Sequence, residues 1–161
     1  MLRKSCICAL ISIALVSALQ GCEGGKRAFL IATVCLQSAD DLSAFTAEMQ
    51  SAANAEGTEF LDWSAETQAE LDTIGHPMDG ARTRPAINMG FTRRDGVGLT
   101  AGNLGLPGYQ VALGFSKGSN APAAHKLAQR IVSKLEERWH VEIVPNPAES
   151  GAFPMTNCPE K

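Results

Sequence analysis

The hydrophobic pattern of this chain changes period several times, and each change marks an element. Ser5 to Leu19 (SCICALISIALVSAL) is a continuous apolar run. Phe29 to Leu36 (FLIATVCL) is a second one, rich in strand formers, and suits a strand covered on both faces. Leu42, Phe45, Met49 and Ala52/Ala53 then recur at helical spacing up to Gly57, after Ser38, an N-cap candidate with Asp41 three residues on. Thr58 to Trp63 reads as a short strand. Ser64 to Ile74 reads as a brief helix stopped by Gly75 and Pro77, followed by loop to Pro85. Ala86 to Arg93 and Val97 to Ala101 flank Arg94-Asp95-Gly96, where Asp-Gly signals a hairpin turn. A glycine-rich connection, Gly102 to Gly108, leads into the strand Tyr109 to Ser116. Ser119-Asn120 cap a long helix with Pro122 in its first turn, and Ala124, Leu127, Ala128, Ile131, Val132, Leu135 and Trp139 trace one apolar stripe. His140 to Val144 closes as a strand ended by Pro145 and Pro147.

Strand, helix, strands, helix, strand is the order of an α+β protein of the ferredoxin-like (split βαβ) kind, a two-layer sandwich with an antiparallel sheet and two main helices on one face. The short helix at 64–74 and the Gly102–Gly108 connection depart from the minimal pattern. The C-terminal tail, through Phe153, Pro154 and Met155, is expected to fold back over the sheet.

The first apolar run follows Arg3 and Lys4 and ends in Leu19-Gln20-Gly21-Cys22. Positive, apolar, small residue and cleavage point is the order of an export signal. A cysteine directly after the small residue resembles the bacterial lipobox, and that resemblance implies a thioether-linked diacylglycerol on Cys22 as the first mature residue. Ser5 to Gly21 is only 17 residues, the bottom of the range for a spanning helix, so a retained anchor fits less well. The expected division is a lipoprotein signal at 1–21, a tether at 22–28 and one domain at 29–161. Glu23, not Asp, follows the cysteine and resembles the enterobacterial pattern that favours the outer over the inner membrane.

Cleavage leaves 12 Lys and Arg against 17 Asp and Glu, a net −5. So acidic a domain excludes nucleic acid as an expected partner and argues against broad adsorption to anionic lipid, leaving membrane affinity to the acyl chains. Of five cysteines, Cys6 and Cys8 leave with the signal and Cys22 carries lipid, so Cys35 and Cys158 remain to form a disulfide in an oxidising compartment. Such a long loop is worth up to about 4–5 kcal/mol by chain-entropy arguments.

No phosphate-binding loop, H-E-x-x-H, C-x-x-C or G-x-S-x-G pattern occurs, and the sequence implies no cofactor and no metal. His125 and His140 read as polar surface positions. His76, near Asp79 in a loop, is the one histidine that could frame a site, with Ser64 or Ser116 as nucleophile of a small hydrolase, but no partner spacing supports it. Arg82, Arg84, Arg93 and Arg94 cluster within 13 residues, and Leu104 and Leu106 sit among glycines. Solvated arginines and tucked leucines are the plain interpretation. The functional one is a single partner-binding surface at one end of the sheet, since Arg forks onto carboxylates and loops carry contacts. The expected function is a lipid-anchored, periplasm-facing protein that acts by contact with another protein, as an inhibitor or immunity-type lipoprotein or an accessory subunit. A hydrolase or a small-molecule binder is the alternative.

Overall fold

The computed structural model describes residues 28–74, 85–103, 106, 108–145 and 158. In chain order these form β1 (Leu30–Leu36), α1 (Ala39–Ala55), β2 (Leu61–Asp62), α2 (Ser64–Ile74), β3 (Asn88–Thr92), β4 (Val97–Gly102), β5 (Tyr109–Lys117), α3 (Ala121–Glu136) and β6 (His140–Val144). The fold is mixed α+β, one six-stranded antiparallel sheet in the order β2-β3-β4-β5-β1-β6 with three helices.

The helices start where their caps dictate. Ser38 is extended and its hydroxyl accepts from the Asp41 amide, while the Asp41 carboxylate accepts from the Gln37 amide at 2.8 Å. Those hydrogen bonds satisfy amides that a first turn leaves unpaired. The Gln37 amide is the first cause holding the Asp41 carboxyl below the usual carboxylate range. At α3 the cap is Asn120, whose side chain accepts from the Ala123 amide. That helix stops at Glu136, so Trp139 is not on its stripe. The chain turns instead, and Trp139 packs edge-on against Phe45 of α1.

One face of the sheet carries the core. Ala32, Val34 and Leu36 of β1 align with Val111 and Leu113 of β5, and these with Ala101 and Leu99 of β4 and Met89 and Phe91 of β3. Phe45, Met49 and Ala53 of α1 and Ala124, Leu127, Ala128, Ile131 and Leu135 of α3 close over them. Period-2 alternation sends the intervening residues to the second face. There β1 places Thr33 and Cys35, both buried, which is why its sequence is apolar without alternation.

Cys35 pairs with Cys158 on that second face, Cα to Cα 5.7 Å, within the ordinary disulfide range. The bridge therefore ties Cys158 to the side of the central strand that faces away from α1 and α3. Residues 153–155 of the tail lie outside the described residues. β2 is shorter than the six-residue strand expected at 58–63, because only Leu61 and Asp62 pair with β3.

The bridge spans 123 residues of chain. Cys158→Ser should lower the melting temperature by several degrees, as loss of about 2–4 kcal/mol would. Denatured but unreduced wild-type domain should titrate no thiol at these two positions.

Candidate binding surface

The register fixes which features share an end of the sheet. Leu30 lies opposite Phe115, Val97 opposite Lys117 and Thr92 opposite Gly98, so the start of β1, the β3–β4 turn (93–96) and the β5–α3 turn (118–120) are together at one end. Leu36 lies opposite Tyr109, Asn88 opposite Gly102 and Cys35 opposite His140, so the β4–β5 connection is at the other. The expectation of one surface built from Arg93-Arg94 and the Gly102–Gly108 loop is corrected by this register. β4 runs from the one to the other, and the two connections of a strand lie at its opposite ends. Leu106 is half-buried, its amide bonded to the Asn103 carbonyl. Arg82, Arg84, Leu104, Cys22, His76 and Asp79 lie outside the described residues.

The hairpin tip is locked. Gly96 takes φ 80°, and its amide bonds to the Arg93 carbonyl at 2.9 Å. The Asp95 carbonyl accepts from both the Ser119 amide (2.8 Å) and the Ser119 hydroxyl (3.1 Å). Gly118, at φ 54°, lets the two turns meet, because a Cβ there would fall 2.2 Å from the Asp95 oxygen.

Arg93 belongs to this lock. Its Nη1 donates to Glu56 at 2.8 Å and its Nη2 to Asp95 at 2.7 Å, while Arg130 of α3 also bonds Glu56. The Glu56 side chain, 11% exposed, thereby joins the end of α1 to the hairpin and to α3. Arg130 above all, with Arg93 assisting, holds its carboxyl below the usual glutamate range, against the opposing effect of burial. At Asp95 burial opposes, but the Val97 amide and Arg93 prevail and lower its carboxyl too. Of the clustered arginines, the two among the described residues thus divide. Arg93 is committed inside the fold, whereas Arg94 is exposed.

The serines considered as nucleophiles are engaged by backbone and far apart. Ser116 donates to the Gly96 carbonyl at 2.9 Å at one end of the sheet. Ser64 accepts from the Asn88 amide at 3.0 Å at the other. His125 is exposed and meets Phe29 edge-on at 4.7 Å, and His140 is exposed on β6 beside Cys35.

Two residues absent from the sequence reading stand out instead. Leu61 and Trp63, 36% and 42% exposed, share the second face at the β2 edge. Leu61 lies opposite Gly90, which offers it no side chain to pack on, and the Trp63 amide bonds the Asn88 carbonyl at 2.8 Å. Beyond them β3 to β5 present Asn88, Gly90 and Thr92, then Gly98, Thr100 and Gly102, then Gln110, Ala112, Gly114 and Ser116 on this face; most are small, Asn88 donates to Thr67 of α2 and Gln110 is buried. Gly90 and Gly98 are required, because a Cβ on either would come within 2.4 Å of a carbonyl oxygen of the neighbouring strand. The result is a low floor with an apolar rim. Alternation in Phe60-Leu61-Asp62-Trp63 could have signalled it, had the pairing of so short a strand been legible.

No protein-family model, curated protein or solved structure matches this chain. Among the described residues no helix is long and apolar enough to cross a membrane, and no group of three or more His, Cys, Asp or Glu is placed to hold a metal ion.

Because the Glu56 carboxyl is lowered by folding, the unfolded state binds more protons near its midpoint. The stability this group contributes is complete above about pH 5 and is lost as pH falls through the lowered folded value. Glu56→Gln should cost about 1–2 kcal/mol at pH 7, a few degrees in melting temperature, and should flatten the acid limb of the stability profile. A wild-type acid limb in the variant would show that other carboxylates carry it.

Proposed function

We propose that this protein is a lipid-anchored, periplasm-facing binding protein of a bacterial envelope, tethered through Cys22 and acting by contact with another protein. Leu19-Gln20-Gly21-Cys22 supports the anchor. The Cys35–Cys158 bridge is what an exported domain would keep in an oxidising compartment. Glu23 favours the outer membrane. We read the fold as a split βαβ sandwich extended by β2 and β3, because β4-β5-β1-β6 with α1 and α3 on one face follows that strand order.

The observation that carries the binding reading is the Leu61–Trp63 pair beside the small-residue face. Aromatic and aliphatic side chains that stay partly exposed in the fold are anchors protein interfaces use, and a floor built mostly of Gly, Ala, Ser and Thr lets a partner backbone approach closely. Binding there would make the structure an inhibitor or an accessory subunit. The residues that remain from the earlier expectation, Arg94 and Leu106, are on opposite ends of the sheet.

Two measurements test this. Fatty-acid labelling of cells should mark the wild type and not Cys22→Ser. In envelope extracts, a stoichiometric protein partner captured by the wild type should be bound about tenfold more weakly by Leu61→Ser/Trp63→Ala, as loss of 1.4 kcal/mol implies, with melting nearly unchanged. Equal capture by the variant would remove the contact from this face.

A further inference from the structure

The strand register gives the domain a charged axis that its net charge conceals. At the end where β1 begins, Arg94 on the hairpin, Lys117 at the close of β5 and Lys126 in the second turn of α3 are exposed. Of the acidic residues in the turns at this end, Glu56 and Asp95 are paired with Arg93 and Arg130, and Glu59, next to Thr58 whose hydroxyl donates to the Thr92 carbonyl, is exposed and outnumbered by the three cations. The N-terminus of α3 points the positive pole of its dipole the same way. The opposite end is the more acidic, with Asp40 and Asp41 opening α1 and Glu136 and Glu137 closing α3, against Lys134, which bonds Glu137, and Arg138.

We propose that the Arg94–Lys117–Lys126 end is the membrane-facing surface of the anchored domain and takes anionic phospholipid headgroups. The proposal rests on the reading of Cys22 as acylated. The chain enters the fold at this same end, where the Phe29 amide bonds the Phe115 carbonyl at 2.9 Å. The six steps from Cys22 to Ala28 reach at most about 20–22 Å, so the tether holds this end near the bilayer, and Lys26 and Arg27 within it add two cations. A seven-residue strand spans about 23 Å, whereas charges are screened over about 8–10 Å at physiological salt. The acidic end is therefore too distant to cancel the attraction. An acidic protein would thus present a basic face to lipid at one end, while its net charge still opposes broad adsorption. This orientation also directs Leu61 and Trp63 at the β2 edge away from sole contact with the bilayer, leaving them open to a soluble partner.

The test uses the full lipidated chain in nanodiscs containing phosphatidylglycerol and a headgroup-nitroxide lipid, with amide signals read by NMR. Signals of Arg94, Gly96, Lys117 and Gly118 should lose most of their intensity, and those of Glu136 to Trp139 should keep theirs. Replacing phosphatidylglycerol by phosphatidylcholine, or introducing Arg94→Gln/Lys117→Gln/Lys126→Gln, should abolish the difference. A charge-reversed set, with Glu at the three positions, should do so more fully, the unchanged remainder of the spectrum reporting the fold. Broadening centred on the acidic end, or indifferent to headgroup charge, overturns the orientation while Cys22 still carries its acyl mass. Absence of that mass removes the anchor, and the proposal with it.

Discussion

Everything in this fold depends on the burial of β1 from both sides. It lies between β5 and β6, and its even-numbered residues Ala32, Val34 and Leu36 meet the helices. Its odd-numbered Thr33 and Cys35 are equally withdrawn from water on the face turned away from α1 and α3. A two-layer sandwich would ordinarily leave that second face wet. Here the disulfide brings Cys158 onto it, so the covalent bond and the central strand act together: the bridge reduces the freedom of the unfolded chain and fixes what lies against the middle of the sheet.

The remainder of the second face is shaped by what it lacks. Gly90 and Gly98 are demanded by carbonyl oxygens on the neighbouring strand, and the same substitution of hydrogen for side chain leaves Leu61 without a neighbour to cover it. A packing requirement inside the sheet thus creates an exposed apolar pair at its edge. Exposed apolar residues scattered singly need no explanation, but two on adjacent positions of one face beside a flat floor form a continuous contact.

Electrostatics follows the same geometry. Antiparallel strands gather successive turns at the two ends of the sheet, and charges in turns gather with them. Glu56 joins the end of α1 to Arg93 and Arg130, which consumes acidic charge at the end where β1 begins and leaves Arg94, Lys117 and Lys126 in excess. Those ion pairs are modest individually, since each arginine is partly in water. Their larger effect is to hold two turns and two helices in one arrangement.

The sequence by itself determined the elements. Helix caps at Ser38 and Asn120, the Asp-Gly turn at 95–96, and the runs at 30–36, 109–117 and 140–144 act over a few residues, where side-chain chemistry and period decide the outcome. Exclusion reached Cys35 and Cys158 as a pair in the same way. What only the tertiary structure decided was which of these local features meet. The arginine hairpin and the Gly102–Gly108 connection look like neighbours along the chain, yet β4 separates them by its full length. Arg93 looks free in the sequence, yet Glu56, 37 residues earlier, occupies it. Leu61 looks like strand interior, yet a glycine across the ladder leaves it exposed. Each of these depends on strand pairing, and pairing joins residues far apart in sequence through backbone hydrogen bonds that carry no signature in the side chains.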